Sequence, residues 1–242
     1  MIKHITTSSK IFIIAFSGPD GSGKSTHANL ISEKFISNGY VVKRIWVKNV
    51  HLLSYVILLI LEKINKKRVL RSTSEAIITS SIANFGNQWV WIESINISLK
   101  MLLFLLVKFF YKLFNKKLIL IADRFILDSM VHILISVMLL KVGYKEKKKT
   151  LIKLLMSYPF RILRYYYRMS IIIFLDGKEE IIIKRKMKSK KSDPLWYINL
   201  QRKLYHIVIK VFKIPVYSID VSDRSVIETH NEILNLLKAF NL

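Results

Sequence analysis

The stretch Ile11–Thr26, IFIIAFSGPDGSGKST, decides how the rest of the chain is read. It opens on an apolar run, Ile11 to Phe16, whose isoleucines and phenylalanines predict a buried strand. Glycines follow at once, and Lys24, Ser25 and Thr26 lead into a helical pattern from His27 to Asn38. Gly18, Gly23, Lys24 and Ser25 satisfy G-x-x-x-x-G-K-[ST], the phosphate-binding loop. Glycine lets the backbone curl so that successive N–H groups face one anion. The helix that follows turns its positive end toward the same anion. Lys24 can then reach β- and γ-phosphates, and the Ser25 hydroxyl can ligate Mg²⁺. A glycine loop arising by chance is the alternative, and the strand before it and helix after it argue against that.

Four further apolar runs predict strands: Tyr40–Trp46, Lys117–Ala122, Ser170–Asp176 and Ile214–Asp220. Between them lie helical patterns at Leu52–Asn65, Thr73–Ile82, an apolar segment through Phe110 preceded by Trp89, Trp91 and Glu93, and Phe125–Leu140. Others start at Glu179, after the Asp193-Pro194 pair and at Ser225. The alternation predicts an α/β fold, a five-stranded parallel sheet covered by helices on both faces. The strand Lys117–Ala122 runs straight into Asp123-Arg124. A carboxylate at such a strand end can hold Mg²⁺ or its waters, and an arginine beside it can fork onto a phosphate. An ion pair that merely closes the strand end is the alternative reading. Lys48 to His51, past the second strand, occupy the edge where open α/β sheets bind ligands.

At 242 residues the chain suits one domain, and 52% hydrophobic residues supply a sizeable core. The formal charge is +24, a field that attracts nucleotides, nucleic acid or an anionic membrane, although a solvated basic surface accounts for it equally. Residues 141–168 hold nine basic residues against one Glu and read as exposed surface or a polyanion contact. The absence of cysteine excludes disulfides, thiolate metal sites and cysteine nucleophiles, and fits a cytoplasmic location. Two apolar segments, Leu52–Leu61 and Ile97–Phe110, fall short of the ~20 residues that span a bilayer. They are expected as buried helices, with lipid or a partner as the alternative.

Four pieces, in order, resemble the thymidylate kinase family of P-loop nucleoside-monophosphate kinases. FSGPDGSGKST is similar to its loop, with Asp20 at the family's acidic position. Asp123-Arg124-Phe125 with Ser129 resembles its strand-end D-R-[YF] and following serine. Leu175-Asp176 with Glu180 and Arg185 looks like its fourth strand and the start of its lid. Arg202, Tyr205 and YSIDVSDRSVIETHNEI look like its final helix, strand and helix.

The resemblance implies a three-layer P-loop kinase domain over residues 1–242 with a lid at about 177–195. It implies ATP and Mg²⁺ as cofactors and a nucleoside monophosphate, first of all dTMP, as acceptor. Gly18, Asp20, Gly21, Ser22, Gly23, Lys24, Ser25 and Thr26 would surround the nucleotide, with Ser25 and Asp123 serving the metal. Lys24, Asp123, Arg124 and Arg185 would be catalytic. Gly21 places the chain with members that lack a loop arginine and use basic lid residues, here Arg185 with Lys186, Lys188, Lys190 and Lys191 nearby. Asp20 would bond an acceptor sugar hydroxyl, or else cap its own loop as Asp does in turns. The chain departs from the family in having Trp46-Val47-Lys48-Asn49 where T-R-E-P stands, and no Arg between Ala83 and Phe110. A nucleoside or polynucleotide-end kinase, or a non-catalytic nucleotide-binding protein, remain alternatives. A homodimer is left open.

Overall fold

Side chains of β1 (Ile13–Ser17) alternate between two cores, which fixes the sheet as the middle layer. Ile13 and Ala15 join one core, Ile14 and Phe16 the other. The same alternation runs through β3 (Leu118–Asp123) and β4 (Ser170–Asp176). With β2 (Val41–Ile45) and β5 (Val216–Asp220) they form one parallel sheet in the order β2-β3-β1-β4-β5. This is the architecture expected from the sequence. The computed structural model describes residues 13–47, 55–57, 59, 60, 63, 86–114, 118–139, 167, 170–187, 193–240 and 242.

Helices α1 (Lys24–Ser37) and α6 (Val226–Lys238) cover one face, through Ala28, Ile31, Phe35, Ile233 and Leu237. Helices α2 (Gly86–Leu113), α3 (Ile126–Met138) and α5 (Leu195–Phe212) cover the other. A further short helix, α4 (Glu179–Met187), follows β4. Its two glutamates start it and its Lys184, Arg185 and Lys186 end it, the order its dipole favours. Every residue of α3 from Ile126 to Val137 is buried, including the polar Asp128, Ser129, His132 and Ser136.

Several boundaries differ from expectation. Helix α1 begins at Lys24 rather than His27, because the His27 N–H already bonds the Gly23 carbonyl at 3.1 Å. Helix α2 includes Trp89, Trp91 and Glu93 instead of following them. The Asp193-Pro194 pair, which in sequence suits a cap followed by a first-turn proline, sits one place earlier: Pro194 occupies the cap position of α5, with no side-chain cap, and the Asp193 carboxylate turns to Lys186. Ser225 does cap α6, in a reciprocal box with Glu228.

The apolar segments expected to be buried are not. On α2 only Asn96, Ile97 and Met101 are buried among the described side chains. Tyr55, Val56, Leu59 and Ile60 are helical and exposed. Apolar composition says that a helix wants cover, and the layer has room only for one face of α2. The expectations for Lys48–His51, for Thr73–Ile82, for Lys188, Lys190 and Lys191, and for 141–168 apart from Tyr167 lie outside the described residues.

Candidate phosphate-binding site

The loop between β1 and α1 is shaped by close approach of its neighbours. A Cβ on Gly18 (φ 146°) would stand 2.1 Å from the Leu175 carbonyl oxygen. One on Gly21 (φ 98°) would stand 2.6 Å from the Ile182 carbonyl and 3.2 Å from Lys186 Cβ. Helix α4 therefore sits directly on the loop, and no arginine fits at position 21. Lys24 is buried and its Nζ donates to the Gly18 and Pro19 carbonyls, each at 2.7 Å. Ser22 is buried, whereas Ser25 and Thr26 are exposed in the first turn of α1.

One buried carboxylate gathers the cations. Asp20 Oδ1 lies 2.8 Å from Arg124 Nη2 and 3.4 Å from Lys24 Nζ, and its Oδ2 lies 3.4 Å from Lys186 Nζ. The Asp20 N–H donates to Gln201 Oε1 at 3.0 Å, tying the loop to α5. In these contacts the Asp20 carboxylate faces three cations. Lys186 also reaches Asp193 at 3.2 Å, so one ammonium bridges two acids.

Arg124 is held in the left-handed region, φ 77°, a conformation costly for a residue with a Cβ. Its N–H donates to the Phe16 carbonyl at 3.0 Å and its carbonyl accepts from Val47 at 3.1 Å. These bonds on both sides fix the turn that swings its guanidinium from the end of β3 toward the loop. Asp123, one residue earlier, has Oδ2 at 3.5 Å from Arg44 Nη2. Its Oδ1 is buried without a hydrogen-bond partner among the described residues. A buried carboxylate oxygen with spare capacity at a strand end fits a hydrated Mg²⁺, to which the exposed Ser25 hydroxyl could add an oxygen ligand.

Arg185 and Lys186 part company. Arg185 is exposed and donates to the Arg224 carbonyl at 3.4 Å, on the side of His27. Lys186 is the α4 cation that faces Asp20. His27, buried in the first helical turn, is held neutral: its pKa falls from 6.5 to about 4 through burial first, then the nearby His230 and Arg185 charges.

Behind the loop lies a carboxylate that sequence reasoning missed. Asp128, 1% exposed, accepts from Ser17 Oγ at 2.5 Å, the Phe125 N–H at 2.9 Å and Tyr205 Oη at 2.7 Å. Burial and that carboxylate push the Tyr205 hydroxyl well above its usual pKa, so it stays a donor. The available signal was one acid inside the apolar run Ile126–Val137. Ser129 donates to the Val47 carbonyl at 2.6 Å, pinning the end of β2. Arg202 and His206 both hold Asp176, at 2.9 and 2.7 Å.

No protein-family model matches the sequence, and a search of curated proteins finds no match. Solved structures do share the fold. The thymidylate kinase from Candida albicans is 16% identical with a TM-score of 0.59, over 96% of this chain and 93% of that one. The deoxyadenosine kinase from M. mycoides, with bound dCTP or dATP, is 19% and 20% identical with TM-scores of 0.50. Those matches cover 94% of this chain and 100% of that one.

Proposed function

We propose, from the premise that this chain has the fold of P-loop nucleoside and nucleotide kinases, that it transfers the γ-phosphoryl group of ATP to a nucleotide-like acceptor. The observation that carries this is the loop itself, with Lys24 folded over its carbonyls and Arg124 and Lys186 gathered on Asp20. Phosphoryl transfer asks little covalent chemistry of a protein; it asks for positioning and for positive charge where the transferring group becomes electron-rich. Lys24 would exchange its carbonyl partners for phosphate oxygens. Arg124 and Lys186 would supply charge from the strand end and from α4, with Asp20 fixing both side chains beforehand. Asp123 and Ser25 would hold Mg²⁺, which when bound neutralises phosphate charge.

Thymidylate is the acceptor we name first, on the ordered resemblance of the four sequence pieces. A deoxynucleoside is the second, because the fold is also shared with a deoxyadenosine kinase. ADP release measured across nucleoside monophosphates, deoxynucleosides and a 5′-hydroxyl oligonucleotide tests both. We expect the highest turnover with dTMP, lost in Lys24→Ala. Acceptor-dependent release with none of them would overturn the kinase reading in favour of a nucleotide-binding protein without transferase activity; no ATP binding would remove both.

A further inference from the structure

We propose that the outward face of α2 is a docking surface for an anionic membrane. The helix is anchored along one side only, by Ile97 and Met101 in the core with Phe104 and Tyr111 packed against it. On the opposite side Ile95, Leu99, Leu102, Leu106, Phe109 and Leu113 recur at intervals of four and three residues, and each is 45–61% exposed. That spacing stacks them into one stripe about 27 Å long. Leu103 and Phe110, also half exposed, widen it on one flank and Leu105 on the other. A strict seam for one partner helix needs only the stripe; this apolar arc, from Leu105 to Leu103, spans about 160° of the helix circumference at 100° per residue.

Charge decides the occupant. Residues 94–122 contain five lysines (Lys100, Lys108, Lys112, Lys116 and Lys117) and no Asp or Glu. Two copies of this chain joined along α2 would bring mostly like charges together, since Glu93 is the one acid of the helix. The whole chain, at +24, repels a second copy for the same reason and is drawn to a negative surface. An anionic lipid interface satisfies both features: leucine and phenylalanine side chains enter the headgroup–acyl boundary while the net positive charge of the chain meets the phosphates. No helix among the described residues is long and apolar enough to cross a membrane, so α2 would lie in the interface plane.

The test is co-sedimentation of the full chain with phosphatidylcholine vesicles that contain or lack about one third phosphatidylglycerol, at two salt concentrations. We expect partitioning at least about tenfold stronger on the anionic vesicles and weakened by salt, since each basic residue near such a surface contributes measurably. Leu102→Ser/Leu106→Ser removes apolar area without changing charge and should weaken partitioning by more than about tenfold. Ile227→Ser, an exposed apolar residue on α6, should leave it unchanged. Equal binding to both vesicle types, or none, would overturn the proposal without any variant. Undiminished binding by the double variant would also overturn it. So would light scattering that finds a dimer in the parent, a monomer in the double variant and no vesicle binding by either, since a second copy would then be the occupant.

Discussion

Lys186, at the end of α4, lies 3.4 Å from Asp20 inside the phosphate-binding loop, although 166 residues separate them. Its neighbour Arg185 turns instead to the Arg224 carbonyl. The cation that α4 presents to the loop is thus a lysine held between two acids, Asp20 and Asp193. Lys186→Ala should therefore lower kcat by about 10²–10³, the range for one lost charge-stabilising donor, with a small change in ATP KM. Arg185→Ala should cost less. A larger kcat loss in Arg185→Ala than in Lys186→Ala would return the role to Arg185.

Lys24→Ala should abolish phosphoryl transfer and leave the fold intact. Its removal deletes two bonds to loop carbonyls, yet Asp20 keeps Arg124 and Lys186 as partners. Circular dichroism should match the parent while acceptor-dependent ADP release disappears. Parent-like turnover would mean that the loop does not hold the donor phosphates.

Asp20→Asn separates two roles for this carboxylate. As an anchor for Arg124 and Lys186, its loss should reduce turnover by the same factor for thymidylate and for the analogue without a 3′-hydroxyl. As a partner of the acceptor sugar, it should cost about 1.5–3 kcal/mol with thymidylate alone. The three cations around it favour equal losses. A loss confined to the hydroxylated acceptor would show a sugar contact.

Tyr205→Phe should destabilise the protein by about 1.5–3 kcal/mol, because it removes one of three donors from the buried Asp128 carboxylate. Urea denaturation measures it. A change below about 0.5 kcal/mol, the level of a surface substitution, would show that the bond contributes nothing.

His27 predicts the acid limb of the stability profile. Its folded pKa, about 4, lies below the unfolded 6.5, so the unfolded chain binds the extra proton between those values. Its contribution is complete above pH 6.5 and is lost as pH falls toward 4. The parent should lose stability over that window faster than His27→Asn. Identical slopes for the two proteins would place the titrating group elsewhere.

The sequence by itself determined the layers and the loop, because both are written in short-range patterns. Alternation through Ile13–Phe16 assigns each side chain to a face, and G-x-x-x-x-G-K sets where β1 yields to α1. It also placed Asp123 and Arg124 at a strand end beside that loop. Only the tertiary structure decided which charges meet. Arg185 and Lys186 are adjacent in the chain but point about 100° apart on a helix, and the seating of α4 on Gly21 selects Lys186 to face the loop. The Asp128–Tyr205 bond spans 77 residues and depends on α3 packing against α5. Nor could hydropathy tell that α2 is exposed: composition records how strongly a helix avoids water, while the neighbours that cover it are set by packing.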